Sequence, residues 1–403
     1  MTKSDDKRVP VLRFKGFTDD WEQRKLGEHI IVSKQKNKDN LSLPAFSISN
    51  KNGFIPQEEQ FGKDNTYSKT DKSSNYIVKP KYFAYNPARI NVGSIAYQNT
   101  ITPVLVSSLY EIFRSDNNID DVFLQYWFRS EYFYKQIQRL QEGGVRQYFF
   151  IDKMRESQIY LTNVSEQNKI GSLISKLDKL LTLQQRKLND LKLIRKAVSQ
   201  TIFPGNNKTE SKILVDKTKE VWKKEKAKNI FKEIDIRKVP NNIILSTTQD
   251  GRVVTRESLG RNLLFSQDKL KNYKLVKSGQ FIIHLRSFKG GFATSNLVGI
   301  VSPTYTIFDF KDKDENDSHF WSILFTRYNF IQSLKSVTEG IRYNGVAIKF
   351  SQFADLKITY PTLKTQLKIS NLFRSLNNDI EKQEFKITKL QELKQFLLQN
   401  MFI

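Results

Sequence analysis

Catalysis needs nucleophiles, acids, bases or metal ligands held close together, and this chain of 403 residues offers few at useful spacing. Its three histidines, His29, His284 and His319, lie in unrelated contexts with no histidine or carboxylate at ligand distance in sequence. That argues against a catalytic zinc or a histidine-based nuclease site. No cysteine is present, which removes disulfides, thiolate zinc sites and cysteine nucleophiles together and suits a reducing compartment. Neither GxxxxGKS/T nor GxGxxG after a strand pattern occurs, so ATP hydrolysis and a Rossmann cofactor site lose their usual signatures. Glu210-Ser211-Lys212 has a Glu-x-Lys spacing known from nucleases, but it has no neighbouring acid and sits in a polar linker. In a lysine-rich chain that spacing arises by chance.

What remains is basic and aromatic chemistry. The 66 Lys plus Arg against 42 Asp plus Glu give a formal net charge of +24 at pH 7. That is more than solubility requires and creates a field that attracts polyanions, so nucleic acid is the expected partner. Arg89 and Arg286 each follow an aromatic, strand-like segment and precede glycines, Gly93 in one case and Gly290-Gly291 in the other. Glycine there lets backbone approach a phosphate. Asn86-Pro87-Ala88-Arg89 begins like the Asn-Pro-Pro-aromatic motif of amino-methyltransferases but departs from it at the third and fourth residues, and is read as a turn. The guanidinium fork matches guanine O6 and N7, and Asn or Gln matches adenine. Arg146, Gln147, Arg342 and Asn344, with Lys289 beside Arg286, are therefore candidate DNA contacts, each of which could equally be a solvated surface group. The aromatics are expected in cores rather than as base-stacking platforms.

The elements that must position these residues are written twice. From Gln167 onward the sequence matches the stretch from Gln366 at a constant offset of 199, with ten identities over 37 positions, among them Gln167/Gln366, Ile170/Ile369, Leu177/Leu376, Gln184/Gln383 and Phe203/Phe402. Weaker echoes precede it in the same order. Val78-Lys79 and Phe83 answer Val276-Lys277 and Phe281; Ser107, Tyr110, Ile112 and Phe113 answer Ser302, Tyr305, Ile307 and Phe308 in β-type segments. Phe123, Phe128 and Phe133 answer Phe320, Phe325 and Phe330 on helical patterns, and Glu142-Gly143-Gly144-Val145-Arg146 answers Glu339-Gly340-Ile341-Arg342. Order kept over five blocks indicates a duplicated domain plus helix, with a shared scaffold and different loops.

Each repeat ends in a long amphipathic helix. In the first, Ile170, Leu177, Leu191 and Val198 occupy one heptad position and Leu173, Leu180 and Ile194 the other, with Ile174, Leu181, Leu188 and Ile202 broadening the stripe. The second repeats this with Ile369, Leu376, Leu390, Leu397, Leu372, Phe373, Ile380, Ile387, Leu393 and Met401. At about 1.5 Å per residue, residues 170 to 202 would reach roughly 50 Å, and so long an apolar face needs a partner, which the other copy supplies. Gln184 and Gln383 interrupt the seam at equivalent positions and are expected to specify its register at some cost in stability. Pro204-Gly205-Asn206-Asn207 stops the first helix.

The expected fold is α+β: two similar globular domains, each followed by a long helix, with the two helices pairing through their apolar stripes. The expected divisions are an N-terminal segment 1–20, a first domain 21–160, a helix 161–204, a linker 205–221, a second domain 222–357 and a last helix 358–403. The opening MTKSDDKRVP is polar where a signal peptide would be apolar, and no run of about 18 apolar residues occurs, so a soluble, cytoplasmic chain without membrane contact is expected.

The chain resembles the specificity subunits of type I restriction-modification systems over essentially its whole length. The most specific piece is PVLRFKGFTDDWEQRKLGE at residues 10 to 28, similar to the opening of these subunits. Glu166-Gln167, Lys169-Ile170, Leu177-Asp178, Gln185-Arg186-Lys187-Leu188, Leu191-Lys192 and Phe203-Pro204 resemble the central region of the family. The C-terminal copy departs from it, with Asn377 for the Asp, Phe385 for the Arg and no second Leu-Arg-Phe opening. The resemblance implies that the two are target recognition domains, each contacting one half of a bipartite, asymmetric site on double-stranded DNA, and that the helices between them pair as an antiparallel coiled coil. It implies two methyltransferase subunits using S-adenosylmethionine, and restriction subunits using ATP and Mg, with no cofactor bound by this chain. The competing classes are an enzyme, either a stand-alone DNA nuclease or a fused methyltransferase-nuclease, and a coiled-coil scaffold that binds no DNA. The missing motifs speak against the first, the charge and the duplicated loop-rich domains against the second.

Overall fold

The structure, a computed structural model, describes residues 9–50, 52–61, 72–144, 147–204, 221–239, 243–248, 251–260, 270–284, 291–334 and 349–403. The chain forms two compact units. Residues 1–186 and 384–403 make unit 1, and residues 187–383 make unit 2.

In unit 1 the strands are β1 (Glu22–Lys25), β2 (Ile30–Val32), β3 (Phe46–Ser49), β4 (Gly53–Pro56), β5 (Tyr76–Val78), β6 (Phe83–Tyr85), β7 (Ile95–Tyr97), β8 (Val104–Val106), β9 (Glu111–Ser115) and β10 (Gln158–Leu161). A four-stranded sheet runs β2-β9-β6-β7, and β1-β10, β3-β4 and β5-β8 form pairs. The helices are α1 (Gln57–Phe61), α2 (Asp121–Trp127), α3 (Glu131–Leu140), α4 (Ile151–Glu156) and α5 (Val164–Thr201).

Unit 2 repeats this strand for strand. Its strands are β11 (Lys223–Lys226), β12 (Phe231–Ile234), β13 (Leu245–Thr247), β14 (Val253–Thr255), β15 (Lys274–Val276), β16 (Phe281–Ile283), β17 (Phe292–Thr294), β18 (Gly299–Val301), β19 (Thr306–Phe310) and β20 (Lys357–Tyr360). The large sheet runs β12-β19-β16-β17, and the pairs are β11-β20, β13-β14 and β15-β18. Helices α6 (Ala227–Ile230), α7 (Ser318–Phe325), α8 (Tyr328–Ser333), α9 (Phe350–Ala354) and α10 (Leu363–Asn400) complete the described elements.

The two-residue period of the strands decides where the cores lie. Phe83, Tyr85 and Phe113 point to one face of the first sheet and pack with Trp21, α2, α3 and α5, while Ala84, Ala96 and Ile112 point to the other and pack with β3, β5 and β8. In unit 2, Phe281, Ile283 and Phe308 take the first role and Ile282, Ala293 and Ile307 the second. The cross-strand partners Phe83 and Phe113 stack at 5.2 Å between ring centroids, as do Phe281 and Phe308. The Phe123/Phe128/Phe133 and Phe320/Phe325/Phe330 series is buried in both copies, so these rings are core.

The duplication begins one element earlier than the echoes indicate. Trp21 before β1 and Trp222 before β11 are both buried at the head of their cores, and the pairings β1-β10 and β11-β20 are equivalent. The charged strands EQRK and KKEK share too little composition to reveal this by inspection.

Candidate DNA interface and helix seam

Loop residues. Asn86 Oδ1 accepts from Ala88 N at 3.0 Å and Asn86 O accepts from Arg89 N at 3.0 Å, so the Asn-Pro-Ala-Arg segment is a turn, made by the asparagine side chain. Gly93 closes the loop with φ 86°, the left-handed region that glycine enters without steric cost. Phe149 N donates to Pro87 O at 3.0 Å, which fastens this loop to the segment carrying Gln147. Arg89 and Gln147 are both exposed on these joined loops. Arg146, Arg286, Lys289, Arg342 and Asn344 lie outside the described residues, as do Gly290 and Glu210-Ser211-Lys212.

The histidines occupy separate settings. His29 Nδ1 lies 3.0 Å from Asp116 Oδ2, and the hydrogen bond from His29 and those from Asn118 hold the Asp116 carboxyl below its ordinary range against the opposing effect of burial. Burial pushes His284 and His319 toward the neutral form, with Arg374 adding to the effect at His319. Among the described residues no group of three or more His, Asp or Glu side chains could hold a metal ion, and no described helix is long and apolar enough to cross a membrane.

How each long helix is seated explains several of the repeated residues. Gln167 is fully buried at the start of α5; its Oε1 accepts from Asp120 N at 2.9 Å, and its Nε2 donates to Asn118 O at 3.0 Å and Thr162 O at 2.7 Å. Asp120 in turn caps α2 by accepting from Phe123 N at 2.8 Å. Gln366 does the same in unit 2: it accepts from Asp317 N at 2.9 Å and donates to Pro361 O at 3.0 Å, while Asp317 caps α7 through Phe320 N at 2.8 Å. A buried amide whose donors and acceptor are all used is stable, whereas one left unpaired is costly. That accounts for the identical glutamines.

Each unit also holds one end of each helix pair, running antiparallel. In unit 1, Phe402 packs on Phe123 at 5.1 Å beside the start of α5, and Lys394 Nζ reaches Asp178 Oδ1 at 2.5 Å further along it. In unit 2, Phe203 packs on Phe320 at 5.7 Å, and Arg195 Nε donates to Asn377 Oδ1 at 2.7 Å. The offset of 199 converts one pair of polar partners into the other, Asp178 to Asn377 and Arg195 to Lys394.

This corrects the expected seam. The inward-facing positions are 170, 174, 177, 181, 184, 188, 191, 198 and 202 in α5, and their 199-offset equivalents in α10. Leu180 and Ile194 are 37% and 48% exposed, and Leu372 and Leu393 are 42% and 46% exposed, so these leucines and isoleucine are not seam residues. Leu173 is half-buried, against the core of its own domain. The second heptad position is instead Ile174, Leu181, Leu188 and Ile202, and Arg195 occupies it between Leu188 and Ile202. A cation in the series made the neighbouring apolar residues look like the better match. Gln184 is half-buried and Gln383 buried.

Beside these polar pairs lie two cavities. One of about 550 Å³ in unit 1 is walled by Asn50, Asn91, Tyr97, Arg129, Tyr134 and Lys394. One of about 770 Å³ in unit 2 is walled by residues including Arg252, Lys313, His319, Arg374 and Asn377. The first has a mixed lining, with Phe83, Ile90, Ile95 and Phe128 beside the polar groups, and the second is the more polar, with Asp317 and Glu381 among its cations.

Residues 18–193 match the family model of the type I restriction modification DNA specificity domain. The crystal structure of the HsdS subunit from Thermoanaerobacter tengcongensis is similar with a TM-score of 0.52 at 14% identity, over 94% of this chain and 95% of that one. The S subunit of a type I restriction-modification system from M. genitalium is similar with a TM-score of 0.56 at 12% identity, over 98% of this chain and 99% of that one. These two likenesses establish the α+β fold along the whole length. No curated protein matches the sequence. The family match therefore lies on the first repeat, residues 18–193, and what extends over the rest of the chain is the likeness of fold.

Proposed function

We propose that the chain is the DNA-reading subunit of a type I restriction-modification assembly and leaves catalysis to its partners. Each domain reads one half of a bipartite, asymmetric site on double-stranded DNA, and the paired helices set the distance between the halves. Two methyltransferase subunits that use S-adenosylmethionine, and restriction subunits that use ATP and Mg, are positioned by it. The observation that carries this reading is the duplication of a whole fastened domain: the same strand order, the same glutamine staple and the same capped helix occur twice, each with its own long helix. Two equivalent readers joined by a stiff spacer suit a site of two separated halves. The charge of +24 supplies the phosphate attraction on which any such binding depends.

The test is genome-wide mapping of methylated adenine in a host with and without the gene. A bipartite motif that disappears with the gene is the expected result; an unchanged methylation pattern overturns the reading. Binding to the mapped site should fall by orders of magnitude between about 50 and 200 mM salt. Arg89→Ala should weaken it at every sequence tested if the side chain holds phosphate, and only at cognate sites if it reads a base.

A further inference from the structure

Asp178 is the meeting point of three helices in unit 1. Its Oδ1 accepts from Lys394 Nζ of α10 at 2.5 Å, and its Oδ2 accepts from Tyr126 Oη of α2 at 2.9 Å, with Arg129 Nη1 at 3.5 Å. The Tyr126 ring also attracts both cations, with Arg129 5.5 Å and Lys394 5.9 Å from its centroid. Burial, followed by the Asp178 charge, pushes the phenol pKa up, so Tyr126 remains a donor at neutral pH.

A stabilising role alone is a poor account of this convergence. The carboxylate side chain is 30% exposed, and ion pairs so open to water contribute little to stability. What directional hydrogen bonds from two other elements do well is fix an angle, here that of a domain against a pair of helices.

The equivalent joint in unit 2 lacks one arm. Asn377 replaces the aspartate and is held by Arg195 of α5, but α7 offers Ile323 and Thr326 where α2 offers Tyr126 and Arg129. The Thr326 hydroxyl turns onto its own helix, donating to Ser322 O and Ile323 O. Among the described residues Ile323 and Thr326 therefore make no hydrogen bond to Asn377 like that of Tyr126 to Asp178, and α10 meets α7 instead at the Asp317 cap, through Ser370 and Arg374.

We propose that Asp178 is the positioning residue that locks the first domain to the register of the helix pair, so that the spacing between the half-sites is held through it. The proposal rests on the DNA-reading function given above. Asp178 accepts on both oxygens, whereas asparagine has one acceptor and must turn its Nδ2 toward a donor. Asp178→Asn therefore loosens the joint with little change of volume, and it installs the residue that the second copy already carries. Lys394→Gln cuts the same joint from the other helix.

The experiment is adenine methylation by the full chain together with its methyltransferase partner, mapped for the wild type, Asp178→Asn, Lys394→Gln and Asn377→Leu. In Asp178→Asn and Lys394→Gln, both half-site sequences should persist while sites with a spacer one base pair longer or shorter gain about fivefold, the upper factor expected for losing one partly exposed ion pair. Asn377→Leu should change spacer tolerance less than about twofold, within the usual range for a partly exposed polar contact. An unchanged spacer distribution in both joint variants, or an altered half-site sequence, overturns the proposal. Absence of sequence-specific methylation by the wild type would instead bring down the DNA-reading function, and the proposal with it.

Discussion

The two repeats agree in every described strand pairing and disagree in how each domain is fastened to its helix. At the start of α5, the fully buried Glu166 accepts from Arg13 Nε at 2.7 Å and Nη2 at 2.9 Å, and from the Thr162 hydroxyl. At the same place in α10 stands Thr365, and the linker before the second domain has no Leu-Arg-Phe opening to supply an arginine. A β-carbon on Gly171 would stand 2.9 Å from Phe123 N, whereas the equivalent Ser370 donates its hydroxyl to the Asp317 cap. The cross-strand pair Tyr85–Glu111 in unit 1 corresponds to Ile283–Thr306 in unit 2. Apolar packing must be matched at every contact, so the scaffold duplicates closely. A polar fastening works only with both partners present, so it is kept, exchanged or lost as a pair.

The largest test of that contrast is Arg13→Ala. It leaves the Glu166 carboxylate buried without its counter-charge, which should cost about 3 kcal/mol and lower Tm clearly. Arg13→Met with Glu166→Met should recover most of the loss, because apolar groups of similar volume need no partner. A small loss in Arg13→Ala would break the claim that unit 1 depends on an ion pair that unit 2 does without.

A second contrast titrates. Burial pushes the Glu111 carboxyl above the ordinary carboxylate range, with Lys34 pulling against it. A raised pKa means that the folded chain holds this proton more tightly than the unfolded one. The contribution is therefore present in acid and lost as pH rises through the raised pKa. Glu111→Gln should raise Tm at neutral pH, with the gain shrinking as pH falls into the ordinary carboxylate range, while Thr306→Ser in unit 2 should show no such trend. A gain independent of pH would assign the effect to packing.

The smallest expected effect is at the seam. Replacing Gln184 and Gln383 together with Leu should keep or raise Tm, by about 1 kcal/mol or less, while permitting other helix registers, detectable as broadened spacer selection in methylation mapping. A large loss of stability would show that these glutamines do something other than set the register.

Much of the architecture was legible beforehand because it is a matter of periodicity. The offset of 199, the echo of Ile112-Phe113 in Ile307-Phe308 and the apolar stripes of both helices report local geometry that packing must respect. The candidate contacts were legible only as residue types. Arg89 and Gln147 proved to be exposed on hydrogen-bonded loops, and the other five candidates fall outside the described residues.

Sequence by itself determined that there are two copies of one domain, that each is followed by a helix in need of a partner, and that the chain is strongly basic. Only the tertiary structure decided which of two overlapping stripes forms the seam. Leu173 and Ile174 are both apolar, and the choice between them depends on what packs against each side of the helix, which no period can encode. The same holds for Asp178 and Lys394, or Glu166 and Arg13. Each is an ordinary surface charge until folding brings together residues more than 150 positions apart, and their pairing is a property of that proximity alone.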